Sequence, residues 1–350
     1  MDRKKLCCAS CVGDRGLRKE IIPIFSTTTG VCDYCETENE YLINPLDLRN
    51  YFEILTNIYS PSEEGKTLVE WFKEDWAMFT HPVMDVAHAK ELLSDILDDG
   101  DIVRSNFSPS SLCYTGRLDI WGKLKDELMH RNRFFPQTNI NEDERLESLL
   151  DHLLLDSEEI SDKWYRARIQ NSKEPYQIEE MSAPPKRLAS QGRANPAGIP
   201  YLYLASTPDT AVSEIRPHTG ELVSVADFCV PKELKIIDLR NPKYTVSPFL
   251  LGDENEIALL RGDIEFLVYL GNELTRPVLP HAAAIDYIPS QYICEFIKKC
   301  GHQGVMYESA VGSGINIAIF DPSLATPGSV DTYYVSKVSV DVKNNSIGNE

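Results

Sequence analysis

The chain has 350 residues and a formal net charge of −19 at pH 7, with 42% hydrophobic and 25% charged residues. This length allows two or three domains with separate cores, and the composition is that of a folded protein. The negative charge argues against nonspecific binding to nucleic acid, which needs clustered Lys and Arg. The longest apolar runs, such as 315–320, are too short to cross a bilayer, and charged residues directly follow Met1. We therefore expect a cytoplasmic protein without a signal peptide or membrane anchor.

The first region, residues 1–45, contains two Cys-x-x-Cys pairs, which are Cys8 with Cys11 and Cys32 with Cys35. This pattern indicates a reducing compartment and a metal site. Four thiolates form the closed tetrahedral shell of a structural zinc, which supplies folding energy that so short a segment lacks. The sequence thus predicts a zinc-knuckle region that acts as a staple or a docking surface. Four unligated cysteines are the alternative, and Cys7 leaves open which of the two neighbouring thiols binds.

The second region, residues 46–157, is predicted to be an all-α helical domain. Its apolar residues recur at helical spacing, over 48–58, 68–76, 87–97, 117–129 and 144–155. We assign the aromatic residues at these helical spacings to the core. Within the last helix, Arg145 precedes His152 with six residues between them, a spacing found in helical RNA-cleaving domains. Both residue types are common, and the spacing between them varies among such domains.

The third region, residues 158–345, mixes strands with helices and is predicted to be an α+β domain. Strand-like runs lie at 199–205, 222–230, 234–239, 304–307, 315–320 and 333–342. The Thr207-Pro-Asp sequence is typical of a helix start, with an N-cap, a proline in the first turn and an acidic residue at the positive helix end. A second helix is predicted over 289–299, with Gly301 just past its end.

A polar turn at 192–198 with two glycines and a proline presents Arg193 from a rigid loop. A planar guanidinium there suits bidentate recognition of phosphate. The following strand holds Tyr203, and the next helix holds Glu214. Arginine, tyrosine and a carboxylate could bind a pyrophosphate, stack on a base and stabilise an oxocarbenium-like ribose. Each residue also has an ordinary structural explanation, so composition alone does not decide the function.

Several separated sequence blocks resemble the RES domain, a family named for its Arg, Glu and Ser. The blocks are Tyr165-Arg-Ala-Arg, Gly192-Arg-Ala-Asn-Pro-x-Gly, Tyr201-Leu-Tyr-Leu-Ala, Thr210-Ala-x-x-Glu and Gly304-x-x-Tyr-x-Ser. They cover 164–321 in the family's order. The preceding helical region with its cysteine knuckles is similar to the region that is often fused to RES domains and compared with HEPN helical domains.

The resemblance implies a fold like that of ADP-ribosyltransferases and an enzyme that depletes cellular NAD as a toxin, by hydrolysis or phosphorolysis. Carried over by motif, Arg193, Tyr203, Glu214 and Ser309 are the expected catalytic residues, and Arg166 is expected to bind NAD as the substrate. In these roles the two arginines hold phosphate, Tyr203 packs on the nicotinamide side, Glu214 orients the ribose and Ser309 contacts the substrate. Arg168 could replace Arg166 if the strand register shifts by two residues.

The expected partner, by the same resemblance, is an antitoxin or immunity protein, and a homodimer is left open. A rival function uses the same pocket to transfer ADP-ribose to a protein or nucleic acid. Two further hypotheses concern the N-terminal half, which would act as an RNase carried by Arg145 and His152 or as an interaction module. The acidic sequence around His152 argues against the RNase.

Overall fold

The computed structural model describes residues 5–138, 144–339 and 342. The chain forms two compact units, the first comprising Met1–Leu154 with Asp238–Glu273 and the second Leu155–Ile237 with Leu274–Glu350. The three domains drawn from composition, 1–45, 46–157 and 158–345, stay a prediction. The first unit contains residues that the prediction divided between 1–45 and 46–157, and it also includes Asp238–Glu273.

The first unit is mainly helical. Its helices are Ala9–Val12, Ile22–Phe25, Arg49–Asn57, Leu68–Trp76, Val86–Leu97, Arg117–His130, Glu144–Asp151, Pro242–Thr245 and Glu254–Thr275 up to Glu273. Two small antiparallel sheets accompany them, β1 (Thr28–Gly30) with β2 (Glu40–Leu42) and β3 (Tyr59–Thr67) with β4 (Asn106–Pro109). The prediction of an all-helical second region therefore missed β3 and β4. The polar sequence of β3 lacks the alternation of apolar residues that predicts a strand. The indole of Trp71 also contacts this small sheet, since it donates to the carbonyl of Phe107 in β4.

The longest helix, Glu254–Thr275, has no counterpart among the predicted elements. Two buried ion pairs tie it to the first unit. Arg261 binds both carboxylate oxygens of Asp75 at 2.7 and 2.9 Å, and Arg117 contacts the fully buried Asp263 at 2.8 Å. Breaking a buried pair strands a charge and is costly, so these contacts fix the helix in place.

The second unit is built on a seven-stranded sheet with the order β11-β7-β5-β6-β10-β9-β8. The strands are β5 (Trp164–Ile169), β6 (Leu202–Ala205), β7 (Leu222–Cys229), β8 (Ile236–Asp238), β9 (Gly304–Glu308), β10 (Ile315–Ile319) and β11 (Thr326–Tyr334). Its helices are Pro208–Glu214, Ala283–Asp286 and Ile288–Lys299. A mainly helical N-terminal part and a C-terminal part with a sheet agree with the predicted fold class at this level.

The strand predicted at 333–342 is wrong in position. The strand is β11, which pairs antiparallel with β7 from Thr326 to Tyr334 and has an irregular register between Pro327 and Val330. Residues 335–339 lie outside the strands, while 340 and 341 lie outside the described residues. The exposed polar sequence of β11 gives no alternation, so its position depends on the partner strand.

The two faces of the sheet differ in the size of their side chains. One face buries large residues such as Trp164, Leu204 and Phe228, whereas Ala167 and Ala205 on the other face pack with Ala211 of the helix Pro208–Glu214. Between β5 and β6 the register contains one pair, Tyr165 with Ala205, so these neighbouring strands diverge after it. No helix in the described ranges is both long and apolar enough to cross a membrane.

Candidate functional site

A cavity of about 300 Å³ lies beside the point where β5 and β6 diverge. Its lining includes Arg166, Arg193, Tyr203 and Glu214, four of the residues that the sequence singled out. It also includes residues that the sequence did not assign to the site, notably Tyr165, Tyr287, Tyr307 and Asn316. This volume is at the lower end of the range of small-molecule sites.

The loop that carries Arg193 is held by a dense hydrogen-bond network. The side-chain amide of Asn195 donates to three backbone carbonyls, those of Ser190, Pro196 and Ile199. The hydroxyl of Tyr203 donates to Asn195 Oδ1 at 2.7 Å and accepts from the amide of Ala194 at 3.0 Å. Gly192 is required here, since a Cβ at this position would lie 2.6 Å from the Tyr203 hydroxyl oxygen. Tyr203 therefore anchors the loop through its hydroxyl.

The guanidinium of Arg193 is oriented but not neutralised. Its Nη1 donates to the carbonyl of Arg276 at 2.7 Å, and its carbon lies 5.6 Å from the ring centroid of Tyr287. Within the described part of the chain, no carboxylate pairs with this guanidinium. Its remaining N–H groups can therefore serve an anionic ligand.

Arg166 of β5 also lines the cavity. Its Nη1 donates to the backbone carbonyl of Tyr203 at 3.2 Å, and its buried Nε has no hydrogen-bond partner. Burial lowers the pKa of Arg166 to about 10, and the nearby charge of Arg168 acts in the same direction. Arg168 itself donates to the carbonyl of Ser182 at 3.1 Å and does not line the cavity. The geometry thus brings Arg166, rather than Arg168, to the candidate site.

Glu214 ends the helix Pro208–Glu214, which begins at the Thr207 cap that the sequence predicted. Its Oε1 accepts from Ser309 Oγ at 2.7 Å and from Asn316 Nδ2 at 2.6 Å. A carboxylate at the negative end of a helix is unfavourable, and these two donors offset that cost. Oε2 has no partner among the residues that the structure describes. Glu214 therefore presents one fixed oxygen and one free oxygen.

Ser309 is not among the residues that line the cavity, but its hydroxyl donates to Glu214 Oε1. Its hydroxyl also accepts from the amide of Gly312 at 3.0 Å, so the glycine-rich loop positions it. Asn316 was missed from the sequence, although a buried asparagine inside the apolar strand β10 is a signal that could have found it. Tyr287 gave no local signal because it reaches the cavity from the distant segment before Ile288–Lys299.

The four predicted zinc ligands form a cluster in the first unit. The sulfurs of Cys8, Cys11, Cys32 and Cys35 all lie within 4.8 Å of one another, and all four residues are buried. The closest separations are 3.3 Å for Cys11–Cys32 and 3.5 Å for Cys8–Cys35. A tetrahedron with Zn–S bonds of about 2.3 Å has edges of about 3.8 Å, so the sulfur set fits zinc.

Two further details bear on the cysteine cluster. Cys7 pairs with Ile43 in an isolated β-bridge, which leaves Cys8 as the member of the cluster. The amide of Tyr34 donates to Cys32 Sγ at 3.4 Å, a contact that favours the thiolate form of Cys32. A stabilised thiolate is the form that a metal binds.

The two residues of the hypothetical RNase site, Arg145 and His152, have contacts that do not leave a free arginine for RNA. Arg145 contacts Asp263 at 2.7 Å and Glu256 at 3.0 Å, so its guanidinium is engaged by two carboxylates. His152 lies just past the end of the helix Glu144–Asp151, and burial lowers its pKa. The two ion pairs give Arg145 a structural role.

The family model of the RES domain matches residues 163–334. No curated protein matches the chain. A solved structure, the crystal structure of the M. tuberculosis MbcT–MbcA toxin–antitoxin complex, matches with 15% identity over 55% of this chain and 94% of the other, at a TM-score of 0.33. The family match does not include the N-terminal half, so its similarity to HEPN domains stays a prediction.

Proposed function

Residues 163–334 form a RES domain, as the sequence motifs indicated, and on that premise we propose that this domain cleaves the nicotinamide–ribose bond of NAD. One observation carries the proposal. A single cavity combines two arginines without carboxylate partners in the described residues, Arg166 and Arg193, with Glu214, whose Oε2 is free. Such a cavity matches a substrate that has a pyrophosphate at one end and a reacting ribose at the other.

The arginines supply the anion-binding end of this proposed site. The whole chain has a net charge of −19, whereas these two arginines make the anion-binding end of the cavity locally positive. The carbonyl of Arg276 and the ring of Tyr287 already fix the guanidinium of Arg193. Little conformational entropy is therefore lost when it binds phosphate. The unpartnered Nε of buried Arg166 gains a hydrogen bond when an anion enters.

Glu214 supplies the reacting end. As the C–N bond breaks, the bonding electrons leave with nicotinamide and positive charge develops on the ribose, where the carboxylate stabilises it. An oxygen of water or inorganic phosphate then bonds to the ribose carbon and releases a proton. Ser309 and Asn316 hold Oε1, which leaves Oε2 for the substrate and fixes the orientation of the carboxylate before the reaction. Tyr203 acts through the Arg193 loop that it anchors.

The test is Glu214→Gln, which keeps the shape of the side chain and removes its charge. Purified full-length protein is incubated with NAD, and nicotinamide, ADP-ribose and ADP-ribose phosphate are resolved with and without phosphate. We expect the variant to lose at least about 100-fold in turnover, the scale on which lost transition-state electrostatics is measured. Glu233→Gln, an exposed residue of the same unit outside the cavity, is the matched control. Wild-type turnover in the Glu214 variant would refute the proposal.

A second candidate function is transfer of ADP-ribose to a protein or nucleic acid. The exposed position of Glu214 favours it, because a macromolecular acceptor can approach the ribose from solvent. NAD labelled in its adenylate part separates the two functions. Label in small products means degradation, whereas label on a macromolecule means transfer.

For the rest of the chain, we propose that zinc binds the four-cysteine cluster as a structural metal. Its chemistry there is to cross-link the N-terminal segment through four thiolates, with no open position for a reaction.

We further propose that the N-terminal half is an interaction module of an NAD-depleting toxin that an antitoxin or immunity protein restrains in the cytoplasm. The ADP-ribosyltransferase-like fold belongs to this same proposal, and an RNase carried by Arg145 and His152 is the alternative hypothesis for the N-terminal half.

A further inference from the structure

Tyr307 is a buried residue with an unsatisfied hydroxyl that lines the candidate site. The residue is only 3% exposed, yet its hydroxyl makes no hydrogen bond to any residue that the structure describes. The hydroxyl oxygen is not fully buried, and because Tyr307 lines the cavity, a ligand there can reach it. Phenylalanine would fill the same space without the cost of desolvating a hydroxyl. A tyrosine at this position therefore needs a reason other than packing.

The sheet places Tyr307 beside the reacting end of the cavity. In the β9–β10 register Tyr307 lies directly opposite Asn316, the residue whose amide holds Glu214. Opposed side chains in an antiparallel pair share a face and lie close together. Burial, the largest cause, raises the pKa of Tyr307 well above its ordinary value, and the charges of Glu214 and Arg193 act on it in opposite directions. The phenol thus stays neutral between the carboxylate and the arginine.

We propose that Tyr307 is a substrate-binding residue whose hydroxyl hydrogen-bonds to a ribose hydroxyl of the nucleotide held at Glu214. A ribose hydroxyl can donate to the free Oε2 of Glu214 and accept from the phenol at once, which satisfies both protein groups. Tyr203, by contrast, has its hydroxyl occupied by the Arg193 loop. This assignment rests on the proposed NAD-cleaving function and adds a contact that fixes the sugar.

The experiment compares Tyr307→Phe with Tyr334→Phe in the full-length protein. Tyr334 is 64% exposed, lies in the same unit outside the cavity and has no hydrogen-bond partner for its hydroxyl in the described chain, so it controls for the chemical change. We expect Tyr307→Phe to keep the wild-type melting temperature, since no protein hydrogen bond is lost. Its kcat/KM for NAD falls about 2- to 10-fold, the range expected for one neutral hydrogen bond. The control keeps both values.

Two NAD analogues that lack the 2′ or the 3′ hydroxyl of the nicotinamide ribose locate the contact. The wild-type protein should lose more than Tyr307→Phe with one of them, because that hydroxyl and the phenol act as a pair. If wild-type protein leaves NAD intact, the proposed function and this inference both fall. If wild-type protein cleaves NAD and Tyr307→Phe has the same kinetic constants, only the Tyr307 assignment falls. A lowered melting temperature without a change in kcat/KM would show a structural role and overturn it.

Discussion

Tyr203→Phe tests whether the Arg193 loop depends on one phenolic hydroxyl. The substitution keeps the ring and removes the group that donates to Asn195 at 2.7 Å and accepts from Ala194 at 3.0 Å. Both partners are buried, so neither regains water when the hydroxyl is gone. A loosened loop positions the guanidinium of Arg193 less accurately, so NAD binding should weaken as well.

The expected loss of stability follows from these contacts. Each hydrogen bond contributes about 0.5–1.5 kcal/mol, and leaving a buried donor or acceptor unmade costs up to about 3 kcal/mol. Partial relaxation of the loop recovers some of this, so we expect the free energy of unfolding to fall by about 2–3 kcal/mol. For a unit of this size, that change lowers the melting temperature by roughly 4–12 °C.

The assay is thermal and urea unfolding of the full-length protein, with Tyr334→Phe as the matched control. The double variant with Asn195→Ala tests the network, because residues that share hydrogen bonds lose less together than the sum of the single losses. A wild-type melting temperature and urea midpoint for Tyr203→Phe would refute the reasoning. Strictly additive losses in the double variant would show that Tyr203 and Asn195 act independently.

Two further predictions concern the arginine and the cysteines. Arg193→Lys keeps the charge and loses the fork, so in a Glu214→Ala background it should weaken NAD binding by about 1.5–3 kcal/mol; equal affinities in isothermal titration would remove Arg193 as a phosphate ligand. Replacing Cys32 and Cys35 with serine should release about one zinc per chain and increase hydrogen exchange around the cysteine cluster. Wild-type protein purified without chelator that contains no zinc in elemental analysis would contradict the metal assignment.

The sequence alone was sufficient for features that are encoded locally. The two Cys-x-x-Cys pairs predicted a four-cysteine cluster because their number and spacing are typical of a structural zinc site. Helical periodicity located Leu68–Trp76 and Ile288–Lys299, and the Thr207-Pro start located Pro208–Glu214. The RES motifs, spread over 164–321, identified the family because several blocks in one order are far more specific than a single block. The roles of their residues stay predictions.

The tertiary structure decided everything that depends on partners distant in sequence. Arg166 rather than Arg168 lines the cavity, and Arg166 donates to the carbonyl of Tyr203 on the neighbouring strand, a contact that the sequence of neither strand reveals. Glu214 is oriented by Asn316, 102 residues away, and Tyr307 acquires its meaning only from the register that sets it opposite Asn316. Local sequence specifies which conformation a segment prefers, whereas hydrogen bonds and burial between remote segments determine which side chains meet.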